Sequence, residues 1–448
     1  MINFDTPHAR NFKTRRLALA CVLCAAPLAQ AQTGSGVTLY GLADAGITSV
    51  SGLKAGTVTQ LASGIMEGSR WGMKGNEDLG GGYKAIFSLE SRVELDTGSN
   101  SSRPISGNQI SDRFSTATLL GLPAAYQPFV NGVVGAAGAP GTLLNEYGVN
   151  VGTYGNRLFD RQAYVGLVTP AGAVLAGRLY TPAFETHAAY DIMETQSGLS
   201  SGQIVAFPAV LEIRKSNSLQ YRFVKDGVSG ALMYSLGDSG ENANNSSKMF
   251  GLNANYKTGD FSVGLGYNKA NNELGQASLT TSVLGASMQF GSDKLTGMVI
   301  KINDDNPSSL SGIAAALTPA ATAALDATFG AGAGAAAARQ IQAAYVNAFK
   351  QDGTLIHIGY RHVVGKNTIS VAYSDYNDNR PANADVSSYG AAYTYALSKR
   401  TDLNAVWVRF NNKNLAQVAP GGNGYIGGVT ATAGTDSTGI AFGIRHRF

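Results

Sequence analysis

The chain has 448 residues, with 34 basic and 30 acidic side chains and a net charge of +4 at pH 7. Charged residues make up 14%, whereas the chain contains 56 Gly, 20 Tyr and 17 Phe. This aromatic content excludes a disordered chain. Past the N-terminus, no run of about 18 apolar residues predicts a membrane-spanning helix. If the chain crosses a membrane, it must therefore cross with strands.

The N-terminus has the pattern of an export signal. A basic segment at 10–16 precedes an apolar core at 17–28, and Ala29–Gln30–Ala31 supplies small residues for cleavage. We therefore predict a signal peptide over residues 1–31 and a mature chain from Gln32.

Export removes both cysteines and most of the net charge. Cys21 and Cys24 lie within the signal, so the mature chain contains neither a disulfide nor a catalytic thiol. Four basic residues and one acidic residue also lie there, which leaves a net charge of +1. No binding to nucleic acid is expected from this balance.

Period-two alternation is the dominant pattern of the mature chain. Bulky apolar residues alternate with small polar ones over 250–256, a turn follows at 257–260, and the alternation resumes over 261–268. Such alternation is typical of strands with one apolar and one polar face. In a transmembrane barrel the apolar face contacts lipid.

Segments of this kind predict sixteen strands. They are 37–47, 65–74, 83–95, 158–168, 173–180, 216–224, 230–236, 249–256, 261–268, 282–290, 295–302, 354–362, 367–376, 387–397, 402–410 and 437–448. Their connections alternate between short turns and long loops, as short periplasmic turns and long extracellular loops do. The predicted fold class is all-β: a transmembrane antiparallel β-barrel of 16 strands over 32–448. The inward or outward facing of 402–410 stays open from the pattern alone.

Two connections are unusually long. We expect residues 96–157 and 303–353 to be extracellular insertions, and the second is rich in Ala, which favours short helices.

The chain ends on a strand with a clear pattern. Apolar residues from Ile440 to Phe448 alternate with small or basic residues, and the chain ends on Phe448. This ending resembles the sorting signal that the outer-membrane barrel assembly machinery reads, so Phe448 is a candidate assembly signal.

Several segments together resemble the trimeric porins of β-proteobacteria, the neisserial and Burkholderia-like family. They are Val37–Gly46, Ser69–Gly82, Phe159–Leu167, Gly177–Pro182, Leu397–Thr401 and Arg445–Phe448. The resemblance covers the strands and omits the two insertions. It implies a homotrimer of sixteen-stranded barrels in which a third external loop folds inward to narrow the pore.

The resemblance also implies a pore constriction with charge on two sides. The third loop would span about 181–215 and carry Glu185, Asp191 and Glu194. The opposing wall would carry basic residues, for which the candidates are Arg70, Arg92, Arg161 and Arg178. By parity, Arg92 alternates with Phe87 and Leu89, and Arg178 alternates with Leu175 and Leu179, so both are predicted to face the lumen. Arg70 and Arg161 are proposed from the resemblance.

Other chemistry is less consistent with these residues. His187, Asp191 and Glu194 could be metal ligands but are more typical of a pore lining. The run 303–306 lacks the spacing and the closing Glu of a calcium loop. A barrel-embedded hydrolase would need an outward Ser–His pair, and the His candidates, His362 and His446, sit at strand ends. We therefore expect neither a metal, a cofactor nor an enzymatic activity.

The sequence thus predicts a general-diffusion porin in the outer membrane, which passes ions and small hydrophilic solutes passively. Two alternatives stay open. A substrate-specific channel would show saturable flux, and an adhesin or receptor barrel would be narrow or plugged, which only the two insertions favour.

Overall fold

A computed structural model describes residues 35–100, 104–107, 109–135, 157–205, 213–237, 247–307, 319–421 and 428–448. The predicted signal peptide at 1–31 lies outside the described residues. No helix among the described residues has both the length and the apolar character that a helix needs to cross a bilayer.

Seventeen β-segments lie in the described part of the chain. They are β1 Gly36–Leu53, β2 Gly56–Ser63, β3 Arg70–Gly80, β4 Tyr83–Arg92, β5 Gln162–Thr169, β6 Gly172–Tyr180, β7 Arg214–Lys225, β8 Val228–Ser235, β9 Met249–Thr258, β10 Phe261–Asn271, β11 Ala277–Phe290, β12 Asp293–Asp304, β13 Gln351–Val364, β14 Asn367–Asp378, β15 Val386–Ala396, β16 Thr401–Asn412 and β17 Ser437–Arg447. Neighbouring segments pair in antiparallel register, except that β2 and β3 each pair with β1, and β17 also pairs with β1. The sheet is therefore closed, without edges.

The seventeen segments occupy sixteen positions around the barrel. Both β2 and β3 pair with the same side of β1, so they are two halves of one strand. The strand is interrupted because the Asp44 carboxylate accepts the backbone N–H groups of Ile65, Met66 and Glu67 at 2.8 to 3.1 Å. The prediction of sixteen antiparallel strands is confirmed. The bounds predicted for the strand at 65–74 are wrong, because the segment 64–69 is bound to Asp44 and β3 begins only at Arg70.

The barrel has its large apolar side chains outside. On β14, Ile369, Val371 and Tyr373 are 43 to 45% exposed, whereas Ser370 and Ser374, which alternate with them, are buried. This is the reverse of a water-soluble sandwich and fits an outer face that contacts lipid.

Six α-helices are described, all in connections at the long-loop end of the strands. They are α1 Asp112–Ser115, α2 Gln127–Gly135, α3 Pro182–Tyr190, α4 Gly202–Val205, α5 Pro319–Phe329 and α6 Gly334–Phe349. The helices expected in the Ala-rich connection are α5 and α6.

The ladder between β1 and β17 that closes the barrel ends in a close approach between Gly41 and Phe448. Their backbones exchange hydrogen bonds of 3.1 and 3.2 Å, and a Cβ at Gly41 would lie 2.1 Å from the Phe448 ring. We expect Gly41→Val to displace the ring and destabilise the barrel by about 1–2 kcal/mol, measured as a lower urea midpoint in detergent micelles. Gly297→Val is the matched control, because its Cβ would meet only a carbonyl at 3.8 Å. Equal midpoints for the two variants would contradict this role of Gly41.

Candidate functional site

The connection between β6 and β7 contacts the inner face of distant strands. Ala183 donates its N–H to the Asn268 side chain on β10, and the Tyr190 hydroxyl lies 3.0 Å from the Ser262 hydroxyl on the same strand. The N–H of Ile192 reaches His357 on β13 at 3.3 Å. We call residues 181–205 the inner loop, since they pack against the lumen side of β9 to β13. The predicted loop continues to 215, and 206–212 lie outside the described residues.

The inner loop is held by a fully buried carboxylate, Asp191. Its oxygens accept hydrogen bonds from the N–H and hydroxyl of Ser201, the hydroxyl of Ser200 and the N–H of Met193, at 2.6 to 2.9 Å. His187 and His357 lie on either side, 3.6 and 3.9 Å from the carboxylate. Burial alone would raise the pKa of Asp191, but His357 and the hydrogen bonds from His187 and Ser201 outweigh it and hold the pKa below its usual range.

The other two acidic residues of the inner loop pair with cations on the wall. Glu185 forms an ion pair with Arg222 of β7 and accepts a hydrogen bond from the Asn253 amide. Glu194 lies 3.4 Å from Arg361 of β13. The sequence analysis missed Arg222 and Arg361, although both have inward parity. These acids are thus tied to wall cations other than the four predicted arginines.

Two of the predicted arginines converge on Glu90 of β4. Arg161 donates to the Glu90 carboxylate at 2.7 Å and Arg70 lies 3.5 Å from it, while the Tyr40 hydroxyl adds a hydrogen bond of 3.1 Å. Arg214 joins through the Tyr180 hydroxyl, to which Arg161 also donates. We call Arg70, Glu90, Arg161, Tyr180 and Arg214 the arginine cluster. The sequence analysis missed Glu90, although alternation along β4 gives it inward parity.

The remaining two arginines lie near Asp160. Arg92 has the parity of inward Glu90 and lies 3.7 Å from the Asp160 carboxylate. Arg178 donates to the Asp160 carbonyl at 2.6 Å and to the Ser216 hydroxyl. The premise used for Arg178 is wrong: Leu175 is buried and Val174 is 48% exposed, so Arg178 shares the parity of the exposed face. Leu175 packs among other apolar side chains on the inner face. The usual rule that apolar residues of a barrel strand face outward therefore does not hold at this position.

A second charged network lies on the inner wall near the closure strands. Arg445 and Arg447 of β17 each pair with both Glu67 and Asp402, at 3.0 to 3.2 Å. Glu67 also pairs with Arg70, so this network joins the arginine cluster. Arg445 and Arg447 lie on the inner face, opposite the exposed residues with which they alternate along β17. The sequence analysis missed Glu67, because its position depends on Asp44.

Glu94, just beyond β4, is ionised less readily than a free carboxyl. Burial raises its pKa to about 7, and Arg92 opposes the shift only partly. An unfolded chain ionises this group near its usual value of 4.5, so stability should fall by roughly 3 kcal/mol as the pH rises from below 4.5 to above 7. We expect Glu94→Gln to remove this part of the pH dependence of the urea midpoint. Glu77→Gln, at an exposed position, is the control. If the urea midpoint of Glu94→Gln changed with pH as steeply as that of the unmodified chain, the raised pKa of Glu94 would be contradicted.

No group of three or more His, Cys, Asp or Glu side chains within the described ranges is placed to hold a metal ion. In the run at 303–306, Asp304 instead accepts hydrogen bonds from Ser278 and from the N–H of Asn306. The outer-face histidines contact strand residues, with His362 against Asp293 and His446 against Thr401.

Comparison with known proteins identifies relatives of this barrel. A model of the Gram-negative porin family matches residues 18–415. The chain is 35% identical to an outer membrane porin protein of Bordetella pertussis over 100 residues, which are 19% of this chain and 26% of that protein. It is 37% identical to the major outer membrane protein P.IB of Neisseria meningitidis serogroup B over 86 residues, 18% of this chain and 25% of that protein. The matched part thus spans about a quarter of the length of these curated relatives.

Solved structures share the fold over most of the chain. The anion-selective porin from Comamonas acidovorans superposes with a TM-score of 0.62 at 21% identity, covering 92% of this chain and 100% of that one. The trimer form of OmpT of Vibrio cholerae superposes with a TM-score of 0.53 at 12% identity, covering 93% of this chain and 100% of that one. The resemblance to β-proteobacterial porins found in the sequence is confirmed by the family match and the Bordetella and Neisseria relatives.

Proposed function

Because the chain belongs to the Gram-negative porin family, we propose that it forms a general-diffusion channel through the outer membrane. The closed barrel with an apolar outer face and a charged inner wall is the observation that carries this proposal. Ions and small hydrophilic solutes would pass through the water that hydrates the inner charges. The porin fold is that of non-enzymatic channels, so we propose passive transport without catalysis or a cofactor.

The constriction is proposed to lie between the inner loop and the arginine cluster. The charges that favour this are Glu185 with Arg222 and Glu194 with Arg361 on one side, and Arg70, Arg161 and Arg214 on the other. Arg92, which lies near Asp160, is also proposed as a basic residue of the constriction wall. Arg178 is proposed from the family resemblance alone, because its parity on β6 is that of the exposed face. Asp191 is proposed to anchor the loop rather than to meet solutes, since its side chain is fully buried.

We propose that three copies of the chain assemble in the bilayer. The trimer form of a protein with the same fold supports this proposal. So do the small residues Ala43 and Ala45 on β1, which alternate with buried Leu42 and Asp44 and would allow close packing on the outer face. Phe448 remains a proposed signal for the barrel assembly machinery, and its ring is 52% exposed on the outer face. The long-loop end would be extracellular and the short-turn end periplasmic.

Swelling of liposomes that contain the refolded chain tests the proposed function. Uncharged sugars of increasing size should enter at rates that fall with size and rise linearly with concentration, because diffusion does not saturate. Flux that saturates for one sugar class would favour a substrate-specific channel instead. Absence of swelling with demonstrably folded protein would favour a plugged receptor or adhesin.

A further inference from the structure

We propose that the long connections form a fixed helical cap, which sets a second size limit at the outer mouth in series with the inner loop. We call this the outer cap and define it by residues 109–135, 319–349, 413–421 and 428–436. The inference rests on the proposed function, because a size limit has meaning only for a channel that passes solutes.

The outer cap has its own apolar core. Phe114 of α1 stacks on Phe349 of α6 with ring centroids 4.5 Å apart, and both rings are almost fully buried. The Tyr345 hydroxyl donates to the Phe114 carbonyl at 2.9 Å. Ile341 of α6 and Leu325 of α5 are also fully buried. Such stacking and burial stabilise one fixed arrangement of these helices.

This core continues onto the inner wall of the barrel. Ile300 and Ile302 of β12, Leu355 of β13 and Phe410 of β16 have inward parity, and each is 0% exposed. They belong to the same buried apolar cluster as Phe114, Ile341 and Phe349. An inner wall that meets water is polar, whereas these four inward side chains are apolar and have no contact with solvent. The outer part of the β12–β16 wall is therefore covered by protein chain.

Polar contacts join the segments of the outer cap to one another and to the connection after β14. Arg380, beyond β14, donates to the Lys350 carbonyl at the end of α6 and also pairs with Asp378. A cation at this place caps the free carbonyls of the helix. The N–H of Asp112 donates to the Gln417 side chain at 2.6 Å, and its carboxylate accepts the N–H of Ala433 at 3.0 Å.

The outer cap also contacts the inner loop. One cavity of about 20 Å³ is lined by Ser111 and Val418 of the cap, Ile204 of the inner loop and Tyr376 of β14. This volume holds no more than a single water. The N–H of Gly421 donates to the Gln203 side chain of the inner loop at 3.2 Å. Solutes would therefore pass the cap on the side away from β12–β16 before they reach the inner loop.

The test compares sugar permeation by liposomes containing the full mature chain. Tyr345→Ala with Phe349→Ala removes the cap core, and Arg380→Gln removes only the tie to α6. Asn347→Ala is the matched control, because Asn347 lies exposed on the same helix. We expect the trisaccharide-to-monosaccharide rate ratio to rise about threefold in the core variant, less in Arg380→Gln, and not in the control. Heat-modifiable mobility on gels verifies that each barrel is folded.

The outcomes separate the cap from the proposed function. If the wild type passes sugars and both cap variants keep its rate ratio, the size limit at the cap is overturned and the channel stands. If the wild type is silent and the variants pass sugars, the cap is supported and the open channel is overturned. If every folded barrel is silent, both proposals are overturned.

Discussion

Replacement of Asp191 by alanine should release the inner loop and make the channel current noisy and larger. The substitution leaves the donors of Ser200, Ser201 and Met193 without their shared acceptor inside a fully buried site. Losing a buried charge that several groups bind costs about 3 kcal/mol or more. Because every 1.4 kcal/mol is tenfold, the undocked loop should become over ~100 times more populated. Single-channel recording measures both the noise and the mean current.

Glu194→Gln is the control for this prediction. Its carboxylate lies in the same loop, but its side chain is 34% exposed and makes one ion pair of 3.4 Å, which is worth little near water. Mildly acidic buffer should not release the inner loop as Asp191→Ala does. The pKa of Asp191 is below its usual value of 3.8, so its contribution is complete above that value and is lost only at still lower pH. A quiet, unchanged current from Asp191→Ala would show that Asp191 does not hold the loop.

Replacement of Glu90 by glutamine should increase the preference of the channel for anions. Glu90 is the carboxylate that Arg70 and Arg161 share, so its loss adds one uncompensated positive charge to the inner wall. A unit charge acts on an ion about 4 Å away with about 1 kcal/mol even in water, which corresponds to about a fivefold change in the permeability of that ion. Chloride is favoured and potassium is disfavoured, so the chloride-to-potassium permeability ratio should rise about 25-fold. The reversal potential in a KCl gradient measures this ratio.

Glu77→Gln carries the same change of net charge and controls for it. Glu77 is exposed near the short turn between β3 and β4, outside the arginine cluster. Equal shifts of the reversal potential in the two variants would contradict the assignment of Glu90 to the ion path. A shift toward potassium in Glu90→Gln would contradict it as well.

Much of the barrel could be predicted because lipid imposes a strict alternation on each strand. The pattern failed where contacts between distant residues override it. The break at 64–69 depends on Asp44, about twenty residues earlier, which takes three backbone N–H groups. On β16 the facing stayed open because Val406, Val408 and Phe410 are apolar although inward. Their inner face is covered by loops, so it does not follow the rule for a wall that meets water.

The charged site was predictable in type but not in pairing. Local parity identifies Arg92 as inward, and the same reasoning would have found Glu90, Arg222 and Arg361. It could not show that Glu185 and Glu194 pair with strands β7 and β13, because those contacts depend on the path of the inner loop. Asp191 was expected beside the pore. Its burial depends on His357, 166 positions later in the chain, and on the serines at 200 and 201.

Single-channel conductance of the refolded mature chain in a planar bilayer tests the central proposal most directly. A trimeric diffusion channel predicts stepwise, ohmic openings that occur in groups of three. Bilayers that stay silent, with protein verified as a folded barrel, would contradict it.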